Sequence, residues 1–224
     1  MLLSIDLYGN INGIAVKTEN NIAVKITNEY FGGQPCYSRD ISYLVQLGYS
    51  PVYCDQYGQL FIEVQGSIDY YSSGKVMKIG SYGFDYYSSG KIMRIGSADF
   101  DYYSDGRIMR IAGAAFDYYS SGRIMRVGDT AFDYYSDGRI MRIGYTSFDY
   151  YSSERIMKIG SAYIDYYSSG KIMKIGYTGL DYYSSEKLMS IGSNSIDYYS
   201  SGKIMKIGYS SIDYYSSGRV SYLG

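Results

Sequence analysis

Phe84-Asp85-Tyr86-Tyr87-Ser88-Ser89-Gly90-Lys91-Ile92-Met93-Arg94-Ile95-Gly96-Ser97-Ala98-Asp99 is one copy of a sixteen-residue unit that recurs without a gap to the end of the chain. Copies begin at Ile68, Phe84, Phe100, Phe116, Phe132, Phe148, Ile164, Leu180, Ile196 and Ile212. A fixed short period of this kind is the signature of a repeat array, in which one small unit buries its apolar face only against its neighbours. Within each copy, Ser-Gly or Asp-Gly precedes a β-branched run, as at Asp105-Gly106 and Asp137-Gly138, which reads as a tight hairpin turn. Residues 68–224 are therefore expected to form an all-β, antiparallel meander of ten β-hairpins.

Parity of the loop decides which side chains share a face, because a slip of one residue turns every partner over. A three-residue loop, Ser88-Ser89-Gly90, would place Phe84, Tyr86, Ile92 and Arg94 together and mix charge with apolar residues on both sides. An even loop pairs Tyr87 with Ile92, Tyr86 with Met93, Asp85 with Arg94 and Phe84 with Ile95, setting opposite charges across from each other. That register predicts a face of Phe84, Tyr86, Met93 and Ile95 to be covered. It leaves Asp85, Tyr87, Ile92 and Arg94 on display. A four-residue connection, Gly96 to Asp99, would then bring Ile95 opposite Phe100 and set Arg94 between Asp85 and Asp101, with no net stagger.

About twenty strands of about five residues make a ribbon on the order of 100 Å long and about 17 Å wide. Such a sheet must curl or cover itself, since strands twist and one apolar face seeks a partner. Zero stagger argues against a regular closed barrel, which requires shear. The last copy ends in Ser221-Tyr222-Leu223-Gly224, and an unpaired final strand there would invite pairing with another molecule. Two copies carry Glu154 and Glu186 in place of the turn glycine, where a positive φ is strained by on the order of 1 kcal/mol. Ser190 stands where a basic residue belongs, which would leave Asp181 and Asp197 without their shared partner.

Residues 1–67 read as a small, mostly β cap. Ile14-Ala15-Val16 and Ile22 to Ile26 are short β-prone runs, with turn signals at Tyr8-Gly9-Asn10, Glu19-Asn20-Asn21 and Gly32-Gly33-Gln34-Pro35. Ser38 to Leu47 is the one stretch that reads as a helix. Val52 to Ser67 is a degenerate copy, with Gly58 sixteen residues before Gly74, joining the cap to the array.

Composition removes several function classes. The chain of 224 residues carries 21 Lys and Arg against 22 Asp and Glu, and neither part is basic enough to hold a phosphate backbone, so no nucleic-acid partner is expected. With no histidine and two cysteines, Cys36 and Cys54, the chain lacks the inventory for His-based catalysis or a Cys/His zinc site. Both cysteines read as reduced thiols. No copy holds a nucleophile beside a base, paired catalytic carboxylates or a phosphate-cradling loop, so neither an enzyme nor a cofactor is expected. The stretch MLLSIDLYGN lacks a basic segment followed by an apolar run, and no apolar stretch approaches about eighteen residues. No membrane span and a cytoplasmic location are expected.

The candidate ligand or partner face is the repeated Asp-Tyr-Arg constellation: Asp85, Tyr87, Arg94, Asp101, Tyr103, Arg110, Asp117, Tyr119, Arg126, Asp133, Tyr135 and Arg142. A tyrosine ring beside a carboxylate and a guanidinium can hold a sugar or a cation. The same residues also satisfy one another along a sheet. Neither tyrosine of the pair is replaced by Phe in any copy, which points to work for both hydroxyls. Met recurs in nine copies at the position of Met93, where packing against aromatic rings is the expected reason. The expected function is a non-catalytic structural or interaction protein, acting by self-association as a homo-oligomer or by binding another protein. The alternative is a multivalent carbohydrate-binding module using the Asp-Tyr-Arg face.

At Tyr70-Tyr71-Ser72-Ser73-Gly74-Lys75-Val76 and its copies, the sequence resembles the Tyr-Asp (YD, or RHS) repeats, whose core runs Tyr-Asp-x-x-Gly-Arg-Leu. The resemblance implies strips of hairpin sheet that spiral into a shell around a cargo. Tyr71 stands where that family has Asp, the period is shorter and no cargo domain is evident, so encapsulation is not carried over. A looser likeness is to the aromatic cell-wall and glucan-binding repeats, in which an aromatic pair precedes Gly-x-Met-x-x-Gly; here the spacing is Gly74-Lys75-Val76-Met77-Lys78-Ile79-Gly80, without tryptophan.

Overall fold

A computed structural model describes residues 1–26 and 37–224. The chain is all-β and antiparallel, and it builds two nested layers. Seven strands form the inner one: β1 (Leu2–Ile5), β2 (Ile11–Lys17), β3 (Ile22–Ile26), β4 (Ile41–Tyr43), β5 (Val45–Gln46), β6 (Val52–Cys54) and β7 (Leu60–Glu63). Their order, β4-β3-β2-β1-β7-β6-β5, brings the consecutive strands β4 and β5 to opposite ends of a sheet that curls nearly shut. Leu2, Ala15, Ala23, Leu44, Tyr53 and Phe61 fill its small interior.

The outer layer is a closed barrel of twenty strands running from β8 (Gly66–Tyr70) and β9 (Val76–Ile79) to β26 (Ser210–Tyr214) and β27 (Val220–Leu223). Five-residue and four-residue strands alternate in hairpins such as β10 (Tyr82–Tyr86) with β11 (Ile92–Ile95), followed by β12 (Ala98–Tyr102). Inner-layer side chains that point outward, including Leu3, Ile5, Ile14, Ile22 and Val24, share one continuous core with the inward residues of every hairpin. Contacts between the layers recur around the circumference: Tyr86 lies against Gly9, Ala112 against Gly48, Ile124 against Gly58 and Phe148 against Tyr43. The N-terminal segment thus fills the barrel rather than capping an end.

The hairpins correct the expected register in one instructive way. Phe84 pairs with Ile95 and Asp85 with Arg94, as expected, but Tyr86 pairs with Ile92. The loop is the three-residue form: Gly90 N–H donates to the Tyr87 carbonyl, Tyr87 N–H donates to the Lys91 carbonyl, and Gly90 takes φ +86°. A bulge at Met93 then restores the other parity. Its cause is visible in the string Ile92-Met93-Arg94-Ile95. Both isoleucines are fully buried, and residues three apart reach the same face of a strand only when one extra residue is inserted between them. Ile92 therefore faces the core, while Met93 and Arg94 both face outward.

The connection between hairpins also differs from expectation. It is a two-residue turn, Gly96-Ser97, so Ile95 pairs with Ala98 and Arg94 with Asp99. Arg94 does not lie between Asp85 and Asp101. Each hairpin consequently advances the row by two residues, because Ala98 is the counterpart of Tyr82 rather than of Phe84. Ten such steps give a shear of about 20 for 20 strands, which tilts them by about 35° and closes the sheet at a radius of about 19 Å. The expected absence of stagger is overturned, and with it the argument against a barrel. The free C-terminal edge disappears too: Tyr222 pairs with Ser67 and Leu223 with Gly66.

Other departures are local. Ser38–Asp40 is a single 3-10 turn and Ile41–Tyr43 a strand paired with β3, so no helix forms over 38–47. Asp40 accepts the Tyr37 N–H, which ends the turn, and Ile41 then pairs with Val24. The turn at 32–35 and Cys36 lie outside the described residues. Cys54 is a free, buried thiol whose pKa burial drives upward. Val52 to Glu63 is a hairpin of the inner layer, and its loop repeats the array's hydrogen bonds, with Asp55 N–H on the Gln59 carbonyl and Gly58 N–H on that of Asp55. Glu154 and Glu186 do adopt positive φ, +66° and +68°. Ser190 faces Asp181 alone, while Asp197 sits opposite Lys206.

The first inward position is Phe in five successive hairpins, Phe84 to Phe148, and Ile or Leu in the rest, yet all are buried.

Candidate functional site

The twelve residues of the Asp-Tyr-Arg face all lie on the outside of the shell, repeated hairpin by hairpin. Each aspartate and its cross-strand arginine close an ion pair: Arg94 on Asp85 at 2.5 Å, and Arg110 on Asp101, Arg126 on Asp117 and Arg142 on Asp133 at 2.6 Å. Both the Nε and an outer nitrogen of each arginine donate to the same carboxylate oxygen. These pairs are half-exposed and neutralise one another, so each contributes a fraction of a kilocalorie to stability and little free charge to a ligand.

Tyr87, Tyr103, Tyr119 and Tyr135 leave their rings partly open to solvent, but their hydroxyls are engaged. Tyr87 donates to the Phe100 carbonyl at 3.0 Å, and the corresponding bond recurs in all ten hairpins, closing with Tyr215 on Ile68. The first tyrosine of each pair reaches the other way. Tyr86 donates to the Val76 carbonyl, Tyr102 to Ile92 and Tyr70 to Val220. Nine of the ten pairs therefore tie their hairpin to both neighbours, the pair of Tyr150 and Tyr151 to the following one alone, which accounts for the rarity of change at either position.

At every junction the two rings meet edge to face, with centroids 5.9 to 6.2 Å apart. The basic residue after the turn glycine lies over the inner ring of the pair at 4.6 to 5.4 Å, from Lys75 on Tyr86 round to Arg219 on Tyr70. This belt of tyrosines and cations occupies the rim formed by the hairpin loops. Burial pushes the hydroxyls of Tyr70, Tyr118 and Tyr134 up to about 12, and neighbouring cations pull partly against that shift.

Two surface features were missing from the sequence reading. Met77, Met109, Met125, Met141, Met173 and Met205 stand on the outer wall, each more than a third exposed, because the bulge turns this position outward. Tyr145, Tyr177 and Tyr209 project fully into solvent from alternate two-residue turns on the opposite rim, and Tyr49 does so from the inner layer. The only available signal for the methionines was the Ile-x-x-Ile spacing that forces the bulge. No protein-family model matches the chain, and no curated protein is significantly similar to it.

Proposed function

We propose that the protein is a non-catalytic scaffold that binds a partner protein on the outer wall of its shell. The observation that carries this reading is the composition of one part of that wall: in the four hairpins from Phe84 to Arg142 the outward strip carries Tyr, Met and Arg, the residue types enriched where proteins meet, whereas Lys or Ser replaces the Arg in most of the others. Methionine adapts its shape to the surface it meets, and a repeat of about 10 Å per hairpin offers several equivalent anchors to one ligand. The wall is also built for water. Its strands are half the length a membrane-spanning strand needs, and each hairpin places a charged residue outward.

Two of the supports for self-association fall away in a closed shell, since neither a strand edge nor the apolar face is free. The carbohydrate reading is weakened for a related reason: sugar recognition needs unspent hydrogen-bonding groups, and on the face from Asp85 to Arg142 the aspartates are taken by arginines and the outer tyrosine hydroxyls by carbonyls. The test is affinity capture from the source organism's extract, using the parent protein beside a triple variant, Met109→Lys, Met125→Lys and Met141→Lys. A partner retained by the parent and lost by an equally stable variant supports the reading. A glycan that binds both equally, or a partner profile unchanged by the triple substitution, overturns it.

A further inference from the structure

Where the hairpin loops pass over the inner layer, the described residues leave one arc of the rim open. A cleft of about 560 Å³ opens there, floored by Ile124, Ile140 and Ile156, walled by Tyr57, Tyr134 and Tyr150, and edged by Arg39, Arg123 and Arg139. It lies on the arc whose first inward position is Phe. The three isoleucines are 4 to 7% exposed, as is Ile108 (6%) in the hairpin before them, whereas Val76, Ile92, Ile172, Leu188 and Ile204 at the same position elsewhere are 0%.

A second arc shows what occupies this position when it is filled. Around Val76 and Ile92 the inner loop at 7–9 packs into the gap: the Leu7 side chain joins the core, its carbonyl accepts the Ile92 N–H at 2.8 Å, and the Gly9 carbonyl accepts that of Val76. Among the described residues that backbone bond to the inner layer is made at Val76 and Ile92 and in none of the other eight hairpins, those of Ile124, Ile140 and Ile156 included. The tyrosine belt is interrupted at the same place. Tyr150 is the one inner tyrosine of the ten whose hydroxyl does not reach a carbonyl of the hairpin before it around the barrel, and among the described residues it has no hydrogen-bond partner. Among the described residues Arg123 makes no ion pair, because its loop carries Ser121 where the loops on either side carry Asp105 and Asp137, and Asp137 pairs with Arg139 at 2.6 Å. The cleft therefore combines an apolar floor, the Tyr150 hydroxyl and three guanidinium groups against a single carboxylate, Glu154, with Arg123 held over the Tyr134 ring, within the size range of small-molecule sites.

We propose that this cleft binds an amphipathic organic anion, an aliphatic or aryl carboxylate, whose apolar body lies on Ile124, Ile140 and Ile156 and whose acid group meets Arg123 and the Tyr150 hydroxyl. The ligand would play the part that Leu7 and its carbonyl play in the neighbouring arc.

Titration of the intact protein with 8-anilinonaphthalene-1-sulfonate, followed by its fluorescence, reads occupancy directly, with laurate as the competing carboxylate. Saturable binding of one probe per chain is expected, displaced by laurate and not by dodecyltrimethylammonium. Arg123→Gln should weaken it about tenfold. Tyr150→Phe should weaken it about threefold without moving the melting temperature, since that hydroxyl makes no internal bond. Arg219→Gln, on another arc of the rim, should leave binding unchanged. Absence of saturable binding, equal displacement by the cationic detergent, or parent-like affinity in both cleft variants would overturn the proposal.

Discussion

Deleting residues 180–195 removes one hairpin and joins Gly179 to Ile196 in phase with the repeat. The segment removed is locally the weakest: it contains Glu186 in a left-handed conformation and Ser190 in place of a basic partner for Asp181. In an open array, where each unit answers only to its neighbours, its loss would be neutral or mildly favourable. In the closed shell it takes two strands from twenty, so the radius falls from about 19 Å to about 17 Å at unchanged tilt. The layers are already in contact, with the Tyr43 ring 5.7 Å from that of Phe148 and its hydroxyl 2.8 Å from Thr146. A contraction of about 2 Å exceeds the single methylene whose insertion into a packed core costs about 1–3 kcal/mol. Otherwise the seam stays open and loses the pairing of Tyr222 and Leu223, the hydroxyl bonds of Tyr70 and Tyr215 to Val220 and Ile68, one ring–ring contact and one cation–ring contact. Those contacts together are worth on the order of 5 kcal/mol, a large part of an ordinary folding free energy. We expect a fall in melting temperature of at least about 10 °C. Two newly exposed strand edges should also drive oligomers, visible by light scattering after size exclusion. A monomeric deletion variant melting within about 3 °C of the parent would refute closure around a fixed core.

The remaining predictions concern single side chains and pH. Tyr102→Phe strands the partly buried Ile92 carbonyl and should cost about 1–2 kcal/mol, whereas Tyr103→Phe, at the exposed end of the pair, should cost about 0.5 kcal/mol; chemical denaturation of the two variants checks the order. Ser190→Arg restores the fork on Asp181 and should stabilise by about 0.2–1 kcal/mol, and Glu186→Gly should gain about 0.5–1 kcal/mol after the loss of its exposed contact with Lys171; both should appear as small rises in melting temperature. The tyrosines of the belt ionise more readily unfolded, near pH 10, than folded, near pH 12 for Tyr70, Tyr118 and Tyr134. Their stabilisation is complete below pH 10 and is lost as pH rises toward 12, so tyrosinate absorbance should lag until a cooperative alkaline unfolding.

Much of the hairpin was legible. Asp85 with Arg94 and Phe84 with Ile95 follow from charge and burial alone, since any other pairing sets like against unlike. The loop was not legible, because Ser89-Gly90 suits a two-residue turn as well as the third position of a longer one, and the difference is absorbed by a bulge whose only trace is two isoleucines three apart. Closure depended on that choice and on the two-residue turn at Gly96-Ser97. A slip of two residues per hairpin is invisible in any one copy and decisive over ten. The nesting of residues 2–63 inside the shell rests on the match between the volume of one layer and the radius of the other, which no local pattern encodes. The candidate wall residues were legible as a face, whereas the cleft was not, since it exists only where two layers of unequal symmetry part.

That inequality explains which positions of the repeat are free to change. A barrel closes only if every hairpin delivers the same shift, so the turn and the bulge must recur in each copy, and they do, while the tyrosine ties recur in all but that of Tyr150. The inner layer has no such repetition, and the shell must meet it differently in each hairpin. The residue after the two-residue turn runs Tyr82, Ala98, Ala114, Thr130, Thr146, Ala162, Thr178, Asn194 and Ser210. Thr146 bonds to the Tyr43 hydroxyl, Ala98 and Ala162 are buried, and Ala112 takes the place of a turn glycine where its carbonyl crowds Gly48. On this account the near-identity of the copies is required by closure, and their differences record the shape of what is enclosed.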